Sequence, residues 1–507
     1  MRWLSVVVVV AGCVPPALEH DGGHDAAVPG AVDAGAVDSG VGDAGVVDAG
    51  VVDAGVVDAG VVDGGLDAGV FDGGRFDSGV FDAGTFVIAR QVVDGGTGNP
   101  VELLTLTFPG RETTYAQWMP VRLSDGGVAP ALLLTKPYDG IAWPNDPRDR
   151  RWAALGAGLH PDVDGPAAGT SPESIVYSPL TIAAQADEAA FYALHGISTL
   201  AVYGRFYAGG SIQNDVDDMI TGLEFLAREP GVDRSRLGIQ GGSWGGFLAL
   251  YGAAFAPAAA TPRVGAALYP LSDFAEEWRH VTVTMPSRLS PDAGLTSSRF
   301  FEPYLRRVAA TTTGGPDAGG NFTRFDVGAL ASRLRTPFFI VHEDWDALVG
   351  VDQSQRLESR RSDLIRPLWL RHDAAPASWD TIGTSHGPLM EQFGGTATFT
   401  FVWAHLLREL AATQTLFIPW TESSFVALLR HARDRTRAGT RHDELARELN
   451  GLLDPRIVMY RMPEGPDAGA PLVEPGAEFV SRQVNTLWGT TTTPATIATV
   501  LDGGLPP

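Results

Sequence analysis

The chain has 507 residues, 44% of them hydrophobic and 19% charged, with 12 tryptophans, which is apolar material enough for a sizeable core. Its formal charge is −23 and no basic patch occurs, which excludes nucleic-acid binding through cationic side chains and disfavours docking on anionic lipid. Residues 1–90 hold 14 acidic and 3 basic residues, so the remaining 417 residues carry −12 and the charge reads as a solubility feature.

The only cysteine is Cys13, so no intrachain disulfide forms. Met1-Arg2 is a short basic start, residues 3–11 are an apolar run, and Val10-Ala11-Gly12-Cys13 closes it. The run is too short to span a bilayer, which takes ~20 apolar residues, and has the length of a signal-peptide core. Its last four residues look like a bacterial lipobox, in which the cysteine thiol receives diacylglycerol. The expectation is a signal peptide over 1–12, lipidation at Cys13, and a lipoprotein of the bacterial cell envelope held by acyl groups rather than inserted. The rival reading is an ordinary secretory signal with a chance cysteine.

Residues 13–85 are low in complexity, with an Asp every five residues from Asp33 to Asp82 and one four-residue step between Asp63 and Asp67. The repeat offers small aliphatic side chains and many glycines, a composition that reads as a flexible acidic tether. A calcium-binding β-roll would need a nine-residue glycine-rich repeat, which is missing.

Globular patterning begins near Phe86, and 86–412 reads as one catalytic domain. Strands are predicted at 103–108, 118–123, 131–135, 197–203, 236–240, 264–269, 337–342 and 367–371. Helices are predicted at 178–194, 214–228 (with Asn214 as N-cap), 244–255 and 397–410. This alternation predicts an α/β fold, a mostly parallel sheet with helices on both faces. The stretch 271–332 is too long for a plain crossover and is predicted to be a cap insertion. Residues 413–507 form a C-terminal extension, helical over 422–453, to which the sequence assigns no role.

Gly241-Gly242-Ser243-Trp244-Gly245-Gly246 lies where a predicted strand meets a predicted helix, the setting a nucleophile elbow requires. Flanking glycines let the backbone turn sharply between strand and helix, and the helix start aims the Trp244 amide at a developing oxyanion. A serine of this kind needs an acid and a base, which in α/β-hydrolases follow it in the order Ser, Asp or Glu, His. Asp346, in the loop after the 337–342 strand, is the chosen acid, with Asp344 as alternative. His386, in a loop after the last strand, is the chosen base, and His372 is its rival. No His, Asp or Glu cluster has ligand spacing, so neither metal nor organic cofactor is expected.

Val232-Asp233-Arg234-Ser235-Arg236-Leu237-Gly238 running into Gly242-Ser243-Trp244-Gly245-Gly246 resembles the catalytic domain of prolyl-oligopeptidase-like serine peptidases. That family carries an HGxxDxxVP motif whose Asp is the triad acid. His342, Asp346 and Val349 match it, while Glu343 and Gly350 stand where the family has Gly and Pro. Residues 86–190 are too few for that family's β-propeller, so gating by substrate size is not implied. Pro130-Ala131-Leu132-Leu133-Leu134-Thr135-Lys136-Pro137-Tyr138 is similar to a segment of the Xaa-Pro dipeptidyl-peptidase and cocaine-esterase-like hydrolases. That resemblance makes the Tyr138 phenol a second oxyanion donor; the other reading is a tyrosine packed under the cap. The combined expectation is a serine hydrolase acting on small peptides through an acyl-enzyme. The alternatives are an ester hydrolase on the same triad and an inactive surface-binding protein.

Overall fold

The structure is a computed structural model that describes most of residues 87–505; 1–86, 137–178, 205–210, 289–315, 373–385, 390–395 and some shorter stretches lie outside the described residues. Cys13, the 13–85 repeat and Tyr138 are therefore outside the described residues, as is the middle of the expected cap.

Nine strands form one sheet in the order β1-β2-β3-β5-β4-β6-β7-β8-β9. They are β1 (Val87–Asp94), β2 (Pro100–Leu106), β3 (Thr114–Met119), β4 (Ala129–Lys136), β5 (Ser198–Tyr203), β6 (Val232–Gly242), β7 (Val264–Leu268), β8 (Phe338–Glu343) and β9 (Ile365–Leu370). The first three pair antiparallel with one another, and β3 pairs antiparallel with β5. From β5 through β4 to β9 every pairing is parallel. The swap of β4 and β5 in space, followed by β6 to β9 in sequence order, is the α/β-hydrolase arrangement with an added antiparallel edge strand.

Helices α1 (Pro179–Leu194), α2 (Ile212–Arg228), α3 (Trp244–Phe255), α4 (Phe274–Arg279), α5 (Val327–Arg333) and α6 (Asp352–Arg360) lie between these strands, and α7 (Thr396–Leu410) follows β9. Successive strand side chains point to opposite faces, and β4 shows the consequence. Leu133 joins a core with Leu223 of α2 and Phe247 of α3, while Leu132 and Leu134 join a second core with Phe191 of α1 and Trp403 of α7. Apolar runs without polar alternation thus mark strands buried on both faces. Burying a side chain such as Phe247 completely contributes about 1.5–3 kcal/mol.

The N-cap of α2 is Ser211, not Asn214. The Ser211 hydroxyl accepts from the Asn214 amide at 3.1 Å, and Asn214 Oδ1 accepts in return from the Ser211 amide at 2.9 Å. Both residue types cap well, and a reciprocal box places the capping serine three residues upstream of its partner. The expected long helix over 422–453 is two helices, α8 (Glu422–Arg437) and α9 (Asp443–Gly451). Around them lie β10 (Leu416–Trp420), β11 (Ile457–Arg461) and β12 (Leu472–Pro475), a second sheet in that order, then α10 (Gly476–Trp488) and α11 (Ile497–Asp502). Leu416, Phe425, Leu449 and Phe479 belong to the same core as Leu132 and Trp403, so this C-terminal part shares the hydrophobic interior of the large sheet. Among the described residues no helix is long and apolar enough to cross a membrane.

Candidate active site

Ser243 stands between β6 and α3 with φ 55° and ψ −126°, one of two non-glycine residues of positive φ among the described residues. That conformation costs of order 1–3 kcal/mol and persists because its surroundings fix it. The Ser243 amide donates to Leu268 O at 2.9 Å, and the Phe247 amide donates to Ser243 O at 3.1 Å. The glycines around it are not equivalent. A Cβ on Gly241 would lie 2.0 Å from Thr135 Oγ1 and 2.3 Å from Gly245 O, and one on Gly246 would lie 2.8 Å from Pro270 Cβ. A Cβ on Gly242 would meet only the Tyr269 ring, at 3.5 Å. Strand β6 therefore touches the helix backbone at Gly241, and the helix touches the end of β7 and Pro270 at Gly246. Trp244 opens the helix, and its indole donates to Asp215 Oδ2 at 2.8 Å and stacks on Phe247. These contacts fix the first turn, whose amide hydrogens point toward the serine side of the helix.

His386 Nε2 lies 3.0 Å from Ser243 Oγ, and its Nδ1 lies 2.8 Å from Asp346 Oδ2. The structure thus brings Ser243, His386 and Asp346 into one hydrogen-bonded chain. Asp346 is buried after β8, and its Oδ1 accepts from the amides of Leu348 and Val349 at 2.9 and 2.8 Å. Burial alone would raise its carboxyl. The charge of His386 and hydrogen bonds from His342 and His386 outweigh burial and hold it well below the usual carboxylate range. It is a buried anion fully supplied with donors, which is the condition under which burial of charge is tolerable.

The matched motif residues explain the shape of this loop. His342, completely buried, puts Nε2 3.0 Å from Val349 O and 3.4 Å from Asp346 Oδ2, while its Nδ1 lies 2.7 Å from Ser354 Oγ. The imidazole bridges both ends of the turn that carries Asp346. From the segment that follows β7, His280 Nε2 lies 2.9 Å from Ala347 O, and burial lowers the pKa of that imidazole. Gln353 of α6 accepts from the amides of Ser272 and Asp273 at 3.0 and 2.8 Å, fastening the segment that follows β7 to the helix after the acid loop.

The two alternative residues occupy other positions. Asp344 Oδ2 accepts from the His372 amide at 3.0 Å. His372 Nε2 lies 2.5 Å from Glu343 Oε1, and its ring stacks on Trp345. Two contributors to the site were not singled out from sequence. Tyr269 stacks on the imidazole of His386, and Glu343, visible only as a departure from the family motif, is a buried carboxylate behind the His386 loop. Among the described residues no group of three or more His, Cys, Asp or Glu is arranged to hold a metal ion.

A strained serine at a strand–helix junction, hydrogen-bonded to an imidazole that is hydrogen-bonded to a buried carboxylate, defines a serine hydrolase of the α/β-hydrolase fold. The family model of the prolyl oligopeptidase family matches residues 208–283, from α2 through the elbow into the segment that follows β7, so this stretch of the serine hydrolase is similar to that family. No curated protein matches the chain. Among solved structures, it is similar to acetyl xylan esterase 1 from a Thermoanaerobacterium species, with 14% identity, a TM-score of 0.37, and coverage of 63% of this chain and 87% of that one. It is also similar to a puromycin hydrolase, with 18% identity, a TM-score of 0.34, and coverage of 59% of this chain and 38% of that one. A third is the acylaminoacyl peptidase of Pyrococcus horikoshii, with 13% identity, a TM-score of 0.36, and coverage of 65% of this chain and 50% of that one.

Proposed function

We propose that the chain is a peptidase that cleaves small peptides through an acyl-enzyme on Ser243. The observation that carries this reading is the continuous hydrogen-bonded chain from Asp346 through His386 to Ser243 Oγ. His386 takes the Ser243 proton as Oγ attacks the carbonyl carbon, then gives that proton to the leaving amine. Asp346 holds the ring by Nδ1 and stabilises the imidazolium that forms. The Trp244 amide binds the oxyanion, with the Tyr138 phenol as the second donor; each such donor is worth about 2.7–4 kcal/mol of transition-state stabilisation. Water then attacks the acyl-enzyme by the reverse route. A small substrate fits a chain whose residues 86–190 are too few for a propeller.

Ester hydrolysis on the same residues is the second reading. It stays open because the family match, 208–283, spans the elbow and does not choose the leaving group. An inactive binding protein would not need the strain held at Ser243. Labelling with a fluorophosphonate, beside Ser243→Ala and His386→Ala, tests the acyl-transfer reading; labelling that survives Ser243→Ala overturns it. A panel of p-nitroanilides, with proline before the scissile bond, against p-nitrophenyl esters separates the two substrate classes.

The same proposal includes attachment to the bacterial envelope through a diacylglyceryl group on Cys13, supported by the apolar run that ends in Val10-Ala11-Gly12-Cys13. Radiolabelled palmitate incorporated by the parent chain and not by Cys13→Ala is the expected result; equal incorporation removes the proposal.

A further inference from the structure

The loop that carries His386 has a second, separate carboxylate behind it. Glu343 ends β8 with its side chain completely buried. Its Oε1 accepts from the Leu389 amide, three residues beyond His386, at 3.0 Å. On its other side the same oxygen lies 2.5 Å from His372 Nε2. His372 is itself held: its ring lies on Trp345 with centroids 3.6 Å apart and 10° between planes, and its amide donates to Asp344. Gly387, adjacent to His386, has φ +97°, and a Cβ there would fall 2.4 Å from the Glu343 carboxyl carbon. The loop backbone therefore lies flush on this carboxyl group, and the absence of a side chain at 387 is what lets it do so.

We propose that Glu343 is a positioning residue for the base. Its carboxylate anchors the backbone at Gly387 and Leu389 by accepting the Leu389 N–H and packing against Gly387, which keeps the imidazole in reach of both Ser243 and Asp346. His372 holds the carboxylate from the far side, so the second histidine of the region serves the site without touching a substrate. The base itself meets the acid loop through the His386–Asp346 hydrogen bond. Contacts to the ring, that one together with those to Ser243 Oγ and the Tyr269 face, leave the backbone beneath it the freedom to shift. A second attachment three residues away removes that freedom, and a displacement of about 1 Å in a reacting group costs about 100-fold in rate.

This inference rests on the acyl-transfer reading above, and its test uses the full chain and the rate of fluorophosphonate labelling per folded molecule. Glu343→Ala is expected to label about 100-fold more slowly than the parent. Glu343→Gln keeps a carbonyl oxygen for the Leu389 amide and is expected to label within a few-fold of the parent. Gly387→Ala pushes a methyl into the carboxyl group and is expected to label as slowly as Glu343→Ala; it decides the matter should Glu343→Ala not fold. A folded Glu343→Ala or Gly387→Ala that labels at the parental rate, with only its melting temperature lowered, overturns the inference. So does a Glu343→Gln as slow as Glu343→Ala. Neither outcome touches the acyl-transfer reading, which fails only if Ser243→Ala still labels.

Discussion

His386 lies face to face with Tyr269, ring centroids 3.8 Å apart and planes 23° from parallel. Tyr269 follows β7 with φ 40°, a strained conformation for a tyrosine, and its amide donates to Val341 O at 2.7 Å. The strain is borne where the ring can cover the imidazole. An aromatic face against an imidazolium is worth about 0.5–2 kcal/mol, and taking the Ser243 proton makes His386 that cation. Tyr269→Leu should therefore slow turnover about 2- to 30-fold, at tenfold per 1.36 kcal/mol, while Tyr269→Phe keeps the face and stays near the parent. Steady-state kcat on an activated ester checks this. Equal rates for the leucine and phenylalanine variants would assign the ring a packing role only.

Asp346→Asn separates the two duties of the acid. Its Oδ1 would still accept from Leu348 and Val349, so the loop should keep its shape. At the Oδ2 position an amide NH2 would face His386 Nδ1, which must then accept a hydrogen bond. Nε2 then carries the proton and cannot take one from Ser243. A loss of about 10⁴ in kcat is expected, with a melting temperature within a few degrees of the parent. A well-folded asparagine variant with near-parental kcat would show that the imidazole is oriented by something else.

The elbow glycines make a paired prediction. Gly241→Ala places a methyl 2.0 Å from Thr135 Oγ1 and 2.3 Å from a backbone oxygen, so strand and helix must separate. Overpacking costs about 1–3 kcal/mol where a core can give, and more is expected where backbone is struck. Gly242→Ala finds ordinary contact at 3.5 Å and should fold and label like the parent. Thermal melts and fluorophosphonate labelling of the two variants check the contrast; equal behaviour would mean that the 241 contact relaxes freely.

That contrast also marks what the sequence made legible. The elbow could be read because steric demand at Gly241 and Gly246 leaves only one residue type, and because strand and helix patterns flank it. Four glycines look alike in a row, yet only some are forced, and the difference lies in Thr135, Gly245 and Pro270, which only folding places there. In the sequence His386 and His372 both follow Asp346 and differ only as a loop residue and a strand-end residue. What separates them in space is Glu343, whose partners lie 29 and 46 residues away and leave no local pattern. Ser211 and Asn214 were both fit to cap α2, and composition could not choose between them. β10 escaped notice because it is five residues long, contains Pro419, and pairs in parallel with β11 across two intervening helices.

His405 of α7 ties stability to pH. It is buried against Phe339, and burial, with the nearby charges of Arg366 and Arg408, pushes its pKa down to about 3 from an ordinary 6.5. The folded chain thus keeps this imidazole neutral where the unfolded chain protonates it. The unfolded state binds more protons between those two values, so stability rises with pH across that window. The contribution is fully present above about 6.5 and is lost as pH falls toward about 3, with a total on the order of a few kcal/mol. His405→Leu keeps an apolar volume in the same core and removes the group that must be protonated on unfolding. Urea midpoints of parent and variant should therefore diverge in favour of the leucine chain as pH is lowered from 7 to 4.5. Carboxylates held low by their partners, Asp346 and Asp454 among them, also withdraw stability in acid, but they do so in both chains and cancel in the difference. A difference between the two chains that stays constant from pH 7 to 4.5 would mean that His405 takes up its proton inside the folded protein.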